Sequence, residues 1–401
     1  MTEVAPALDR CVGDVRRFAQ RHWGSQPLLH HDPGGFAGLL DLRDVDHLVT
    51  GTLLRMPGFR LVKEGATLPP ASYTQTIRIG SDRVERTARP DRVLEAFRGG
   101  ATIVLQALHR QWPPVARLCR ELELALTHPV QANAYVTPAT SRGFAVHHDT
   151  HDVFVIQTHG HKVWRVYPPA VELPGRDQRW SKDLGEPGEP VLDSDLGPGD
   201  CLYLPRGFLH DAEAREEVSI HVTVGILAHT WVDVWRHVMR GASEHRPFRE
   251  ALPVGFARDP QALGQELTVR AKELAEWLQE AAGEETARSF THRFWATRRP
   301  LLDGQMSQLE ALRAAGSETA FRRRPGAVFS VSSSGPEATV VLGLRELRMP
   351  SFVEPALRFV AGAAGPFRTE DLPGPLDLGS RLVLLRRLVR EGAVEIVDGA
   401  G

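Results

Sequence analysis

Residues 130–227 constrain the fold more than any other part of the chain. They break into short alternating runs separated by Gly/Pro turns. QANAYVT, 131–137, puts Asn133, Tyr135 and Thr137 on one face of a strand. HHDTHDVFVIQ and, after Gly160, HKVWRVYPP follow. A Pro/Gly-rich stretch over 173–199 then leads into CLYLP, a turn at 205–207 and an alternating run over 218–227. Many short strands joined by such turns predict a β-sandwich or barrel.

Helical spacing dominates on both sides. Helices are expected at 8–22, 34–50, 90–99 and 113–126, and again from 231, with a long amphipathic candidate at 262–282. Its stripe of Leu267, Ala271, Leu274 and Leu278 suits packing on the barrel or a dimer interface. Residues 300–401 mix helices, two strand-like runs, a helix over 380–391 ending at Gly392, and a final strand. That order suggests a winged helix. A length of 401 residues suits two or three domains, and the boundaries are placed at 1–230, 231–300 and 301–401.

Charge and cysteine usage narrow the setting. The formal net charge is −2, so no global field draws the chain to nucleic acid or an anionic membrane. The triplet Arg322–Arg324 reads as a solvated charge run. Cys11, Cys119 and Cys201 are too scattered for a disulfide framework or a C-x-x-C metal pair, which fits a reducing cytoplasm. Met1 to Gln20 carries mixed charges and does not read as a signal peptide. No apolar run approaches the ~18 residues a membrane helix needs.

The chemistry gathers around the first of these strands. Five of the 17 histidines lie between His147 and His161. In an extended segment His147 and Asp149 face the same side. His210, just after the 205–207 turn, can join them. Two imidazoles and one carboxylate on one face of a metal, with three positions open, form the facial triad of non-haem Fe(II) oxygenases. H-x-D alone is a weak signal; G-D-x-L-Y-x-P-x-G-x-x-H downstream makes it much stronger.

Only four of the 48 basic residues are lysines, a bias that codon usage accounts for. Lys162 nonetheless sits in an apolar strand, sharing a face with Trp164 and Val166. A buried ammonium needs an anionic partner. The free carboxylate of 2-oxoglutarate is one, and the compact ammonium suits a narrow barrel better than a guanidinium fork. Asn133 and Tyr135 are candidates to hydrogen-bond the same co-substrate; His221 and Thr223 are weaker ones. His148 has the opposite parity, His151, His159 and His161 fall at turns or on the other face, and Cys201 reads as a core residue. The 173–198 stretch is a candidate for substrate selection at the barrel mouth.

NAYVTPATSRGFAVHHDTHDVFVIQTHGHKVWRVYPP, GDCLYLPRGFLHDA and SIHVTVGI resemble the JmjC/cupin-like ribosomal oxygenases, a family of protein hydroxylases, over roughly residues 15–230. The N-terminal RHWGSQPLL resembles that family as well. The resemblance implies a mixed α+β chain: a double-stranded β-helix (cupin/JmjC jelly roll), a helical dimerisation segment and a C-terminal winged-helix-like domain that does not bind DNA. It implies Fe(II) on His147, Asp149 and His210, and 2-oxoglutarate on Lys162 with Asn133 and Tyr135 nearby. It further implies hydroxylation of an arginine or histidine side chain in a protein, such as a ribosomal protein, by a homodimer. A tailoring hydroxylase of a free amino acid, peptide or carrier-bound metabolite is the nearest alternative. A non-catalytic cupin-like DNA-binding regulator is an alternative of another class.

Overall fold

The computed structural model describes residues 6–141, 145–181, 183 and 185–397. The chain divides into two compact units, Met1–Ala228 and His229–Gly401. The expected helical segment and C-terminal region thus fall within one unit.

Among the described residues the first unit is built on thirteen strands. They are β1 (Leu28–His31), β2 (Phe59–Lys63), β3 (Ala66–Thr67), β4 (Thr74–Ile79), β5 (Asp82–Ala88) and β6 (Thr102–Leu105). Then come β7 (Val130–Thr137), β8 (Asp152–His159), β9 (Lys162–Pro169), β10 (Leu192–Leu196), β11 (Asp200–Leu204), β12 (Phe208–Ala214) and β13 (Ser219–Ile226). Eight of them make one sheet in the order β1-β11-β8-β13-β7-β6-β2-β3, and β10-β9-β12 make a second. Adjacent strands in both sheets run antiparallel.

Each face of the large sheet is covered, which is why β8 is buried almost throughout. Phe154 and Ile156 point one way, into a core shared with the helices Pro6–Val12 and Pro113–Leu126. Val153 and Val155 point the other way and meet Trp164 and Val166 of β9 and Leu196 of β10. The second core lies between the two sheets and defines the jelly-roll interior. Tight turns hold the register. Gly160, between β8 and β9, has φ +60°, and a Cβ there would lie 2.1 Å from Val218 O.

Several expectations change on the N-terminal side. The helix over 8–22 is two helices, Pro6–Val12 and Val15–Arg21, broken at Gly13 (φ +71°), with Asp14 capping the second. The helix over 34–50 begins only at Leu42, where Asp41 and Asp44 form a capping box. The region 51–88 holds β2 to β5, strands that the periodicity did not mark.

The second unit contains the helices Trp231–Gly241, Pro260–Ala281 and Glu284–Ala296. Residues of the long Pro260–Ala281 helix are exposed or half-buried throughout, Leu267 among the exposed ones. Further on, β14 (Phe321–Arg323) pairs with β18 (Val394–Ile396), and β15 (Ser330–Ser334), β16 (Glu337–Leu342) and β17 (Arg345–Pro350) form a small sheet. These strands and the helices Glu354–Gly362 and Leu378–Arg390 enclose a core of their own. Arg322–Arg324 is not a solvated run. Arg322 pairs with Glu395, Arg323 donates to Ala361 O and Ala327 O, and Arg324 is buried, donating to Asp303 O and Gln305. Among the described residues no helix is long and apolar enough to cross a membrane.

Candidate active site

The jelly-roll interior brings the three predicted ligands together. His147 is not within a strand; it forms a single β-bridge with His210, at the start of β12, through His147 N–His210 O and His210 N–His147 O bonds. The ligand atoms of His147, Asp149 and His210 all lie within 4.8 Å of one another. His210 Nε2 is 3.9 Å from Asp149 Oδ2, and the two imidazole centroids are 4.5 Å apart.

Each imidazole is oriented by its own backbone. His147 Nδ1 lies 2.9 Å from Ala145 O and His210 Nδ1 lies 3.1 Å from Phe208 O. Carbonyls only accept, so both Nδ1 atoms carry the proton and Nε2 is the nitrogen each ring would offer a metal. Burial, with His147 beside it, pushes the His210 pKa down to about 4, which keeps it neutral and able to ligate. Two imidazoles and one carboxylate fit a divalent iron with open positions. Among the described residues this is the sole cluster of metal-ligating side chains.

A cavity of about 250 Å³ extends from the triad into the barrel. Lys162 stands in its wall, 3% exposed, and its Nζ donates to Thr137 Oγ1 at 3.1 Å. Thr137 in turn is 3.3 Å from Thr102 Oγ1. No carboxylate among the described residues pairs with Lys162, and burial lowers its pKa to about 7. In the β9–β12 register His210 sits opposite Val166, with Lys162 four residues further along the strand. That is about 13 Å along the sheet. One small molecule with an anionic group at each end can meet both the triad and the ammonium.

The other walls are aromatic and polar. Tyr135 stacks on His221 with centroids 4.8 Å apart, and His221 meets Trp164 edge-on at 5.3 Å. Burial, and then the charge of Asp149, pushes the Tyr135 pKa up to about 12, so its hydroxyl stays protonated. Trp164 Nε1 and His221 Nδ1 are buried without a hydrogen-bond partner, two orphaned polar atoms of residues that line the cavity. Asn133 shares the face of Tyr135 but does not line the cavity; its Oδ1 accepts from Ala107 N, and its side chain reaches the Tyr135 hydroxyl. Arg60 of β2 and Thr102 of β6 also line the cavity. Sequence reasoning missed both, because nothing local links those strands to residues 147–210. Thr223 lines it too, while His148 faces the other way, buried. His161 is on the surface against Glu217, and Cys201 is a buried free thiol.

The family model of the JmjC domain matches residues 106–234, so fold, site and match define a JmjC-domain protein. Within that class the chain is similar to proteins named as ribosomal oxygenases. It is 33% identical over 262 residues to ribosomal oxygenase 1 of Gallus gallus, an alignment covering 63% of this chain and 41% of that one. It is 36% identical over 183 residues to the bifunctional lysine-specific demethylase and histidyl-hydroxylase NO66 of Dictyostelium discoideum, covering 43% and 36%. The matches thus span about two fifths or less of these relatives' lengths. Among solved structures, the Escherichia coli ribosomal oxygenase YcfD has the same fold, with a TM-score of 0.55 at 20% identity over 96% of this chain and 98% of that one. YcfD has also been solved in complex with cobalt and 2-oxoglutarate, similar at a TM-score of 0.54 and 19% identity.

Proposed function

We propose that this chain is an Fe(II)- and 2-oxoglutarate-dependent oxygenase that hydroxylates a side chain, arginine or histidine, of a ribosomal or other protein. One observation carries the reading: a His147–Asp149–His210 face and the carboxylate-free ammonium of Lys162 open onto a single cavity. The relatives named for ribosomal oxygenase and histidyl-hydroxylase activity supply the substrate class.

Bound iron and co-substrate supply the oxidising power, with dioxygen consumed and the 2-oxo acid decarboxylated. The chain's own residues hold and shield. His147, Asp149 and His210 hold the metal, their imidazoles fixed by Ala145 O and Phe208 O. Lys162, steadied by Thr137, takes the distal carboxylate of the co-substrate. Tyr135 offers a protonated hydroxyl from the facing wall, with Asn133 behind it. Trp164, Val153 and Val155 keep water from the interior.

The partner and setting belong to the same proposal. The unburied Pro260–Ala281 helix, with Trp231, Val232 and Trp235 exposed on the helix at 231–241, supports a homodimer through the helical segment. The engaged arginines 322–324 support a winged-helix-like module that does not bind DNA, against the regulator reading. A cytoplasmic setting fits three buried free thiols. The test is to incubate the iron-loaded protein with 2-oxoglutarate and ribosomal proteins, seeking a peptide that gains one oxygen atom. A gain found only on free amino acids favours the tailoring hydroxylase instead.

A further inference from the structure

Beside the metal cavity lies a wider groove of about 780 Å³. Gly65, Gly99, Gly100, Ala145, Lys63 and Trp180 are among the residues that line it. Ala145 and Val146, which also line it, directly precede the ligand His147 in the chain. Glycines in the lining present no side chain, which lets another backbone approach closely.

Trp180 belongs to the loop after β9, and this loop is tied to both ligand-bearing segments. At one end, a Cβ on Gly207 would lie 2.2 Å from Val171 O and 2.9 Å from Pro174 Cδ. Only a glycine lets the turn before His210 press on the loop there, and its φ of +92° also favours one. At the other end stands His148, between the ligands His147 and Asp149 and 4% exposed. Its Nε2 donates to Gln178 O at 3.0 Å, and its ring meets Trp180 edge-on at 6.0 Å. Gln178 closes a turn on Gly175 through Gln178 N–Gly175 O and Gly175 N–Gln178 Oε1 bonds.

We propose that His148 is a positioning residue that pins the 171–180 loop through Gln178, so that Trp180 forms an aromatic wall for an extended segment of the protein substrate. The inference rests on the polypeptide-hydroxylase reading above. It gives His148, which is not among the metal ligands, a task on the opposite side of the ligand segment. It also makes Trp180 a specificity residue for the chain flanking the reacting side chain.

Two measurements test it. Trypsin probes the tie at Arg176 and Arg179, which are exposed on the loop. His148→Leu, which has no donor, and His148→Asn, whose amide stops short of the Nε2 position, should be cut there about tenfold faster than the parent, and His148→Gln, whose amide reaches that position, should be protected. Equal cleavage of all four overturns the tie. The wall is probed with total ribosomal protein extract as substrate. Trp180→Ala should need about tenfold more extract for half-maximal 2-oxoglutarate consumption at the same maximal rate, and Trp180→Phe should stay close to the parent. The visible absorption band of iron with 2-oxoglutarate, retained in each variant, shows that the site is loaded. An unchanged requirement in Trp180→Ala overturns the wall. Failure of the extract to stimulate the parent protein itself refutes the polypeptide reading and the wall with it, a result seen before any variant is made.

Discussion

Lys162 Nζ donates to Thr137 Oγ1 at 3.1 Å across the barrel interior, and no carboxylate among the described residues neutralises it. A strand lysine 3% exposed with only a hydroxyl for company is poorly placed to hold its charge without an anionic partner. In the proposed reading, its balance would come from the distal carboxylate of 2-oxoglutarate bound in the cavity.

Removing that ammonium should weaken the co-substrate rather than the metal. Lys162→Ala is expected to raise the 2-oxoglutarate concentration for half-maximal turnover at least about tenfold, ~1.4 kcal/mol. Metal affinity, measured by equilibrium dialysis of Fe(II) under anaerobic conditions, should stay within about twofold. Equal losses of both would assign Lys162 a folding role. Lys162→Arg should not rescue, because a planar fork does not replace a compact ammonium in this space.

The same burial gives a pH signature. The Lys162 pKa is lowered from 10.5 to about 7 by desolvation. Between these values the unfolded chain holds the proton and the folded chain does not, so this group's contribution to stability rises with pH across that window. A bound carboxylate reverses the shift. Near pH 8, 2-oxoglutarate binding should therefore take up a proton, and near pH 6, where the ammonium is already charged, uptake should vanish. Calorimetry in buffers of different ionisation enthalpy reads this directly, and Lys162→Met should abolish the uptake at pH 8.

The turn that sets the register of β9 should tolerate no side chain. Gly160→Ala would place a Cβ 2.1 Å from Val218 O at φ +60°. A loss of about 1–3 kcal/mol in unfolding free energy is expected by urea titration. Gly188→Ala, with open space around its Cβ position, serves as the control and should be within about 0.5 kcal/mol of the parent.

Much of the site is legible from local patterns, a histidine–carboxylate motif for the triad and strand parity for β7 and β9. His147, Asp149 and His210 were readable from H-x-D and the distal histidine, and Lys162, Trp164 and Val166 do share the buried face of β9. Tyr135 and Thr137 followed from the alternation of β7. What escaped was decided by contacts far away in sequence. Arg60 and Thr102 reach the cavity from β2 and β6, and β2 lies in a stretch with no periodicity to mark it. The break at Gly13 depends on a positive φ and on the His30 ring, 2.8 Å from where a Cβ would stand. Arg324 looked like surface charge because its carbonyl partner at Asp303 lies 21 residues away.

The central claim is tested most directly by anaerobic absorption spectroscopy. Fe(II) and 2-oxoglutarate added together to the parent protein should give a weak visible charge-transfer band that neither gives alone. His147→Ala, Asp149→Ala and His210→Ala should each abolish it while keeping the far-UV circular dichroism of the parent. A folded parent protein that shows no band, or a band that survives all three substitutions, would contradict the assignment of this triad as the iron site.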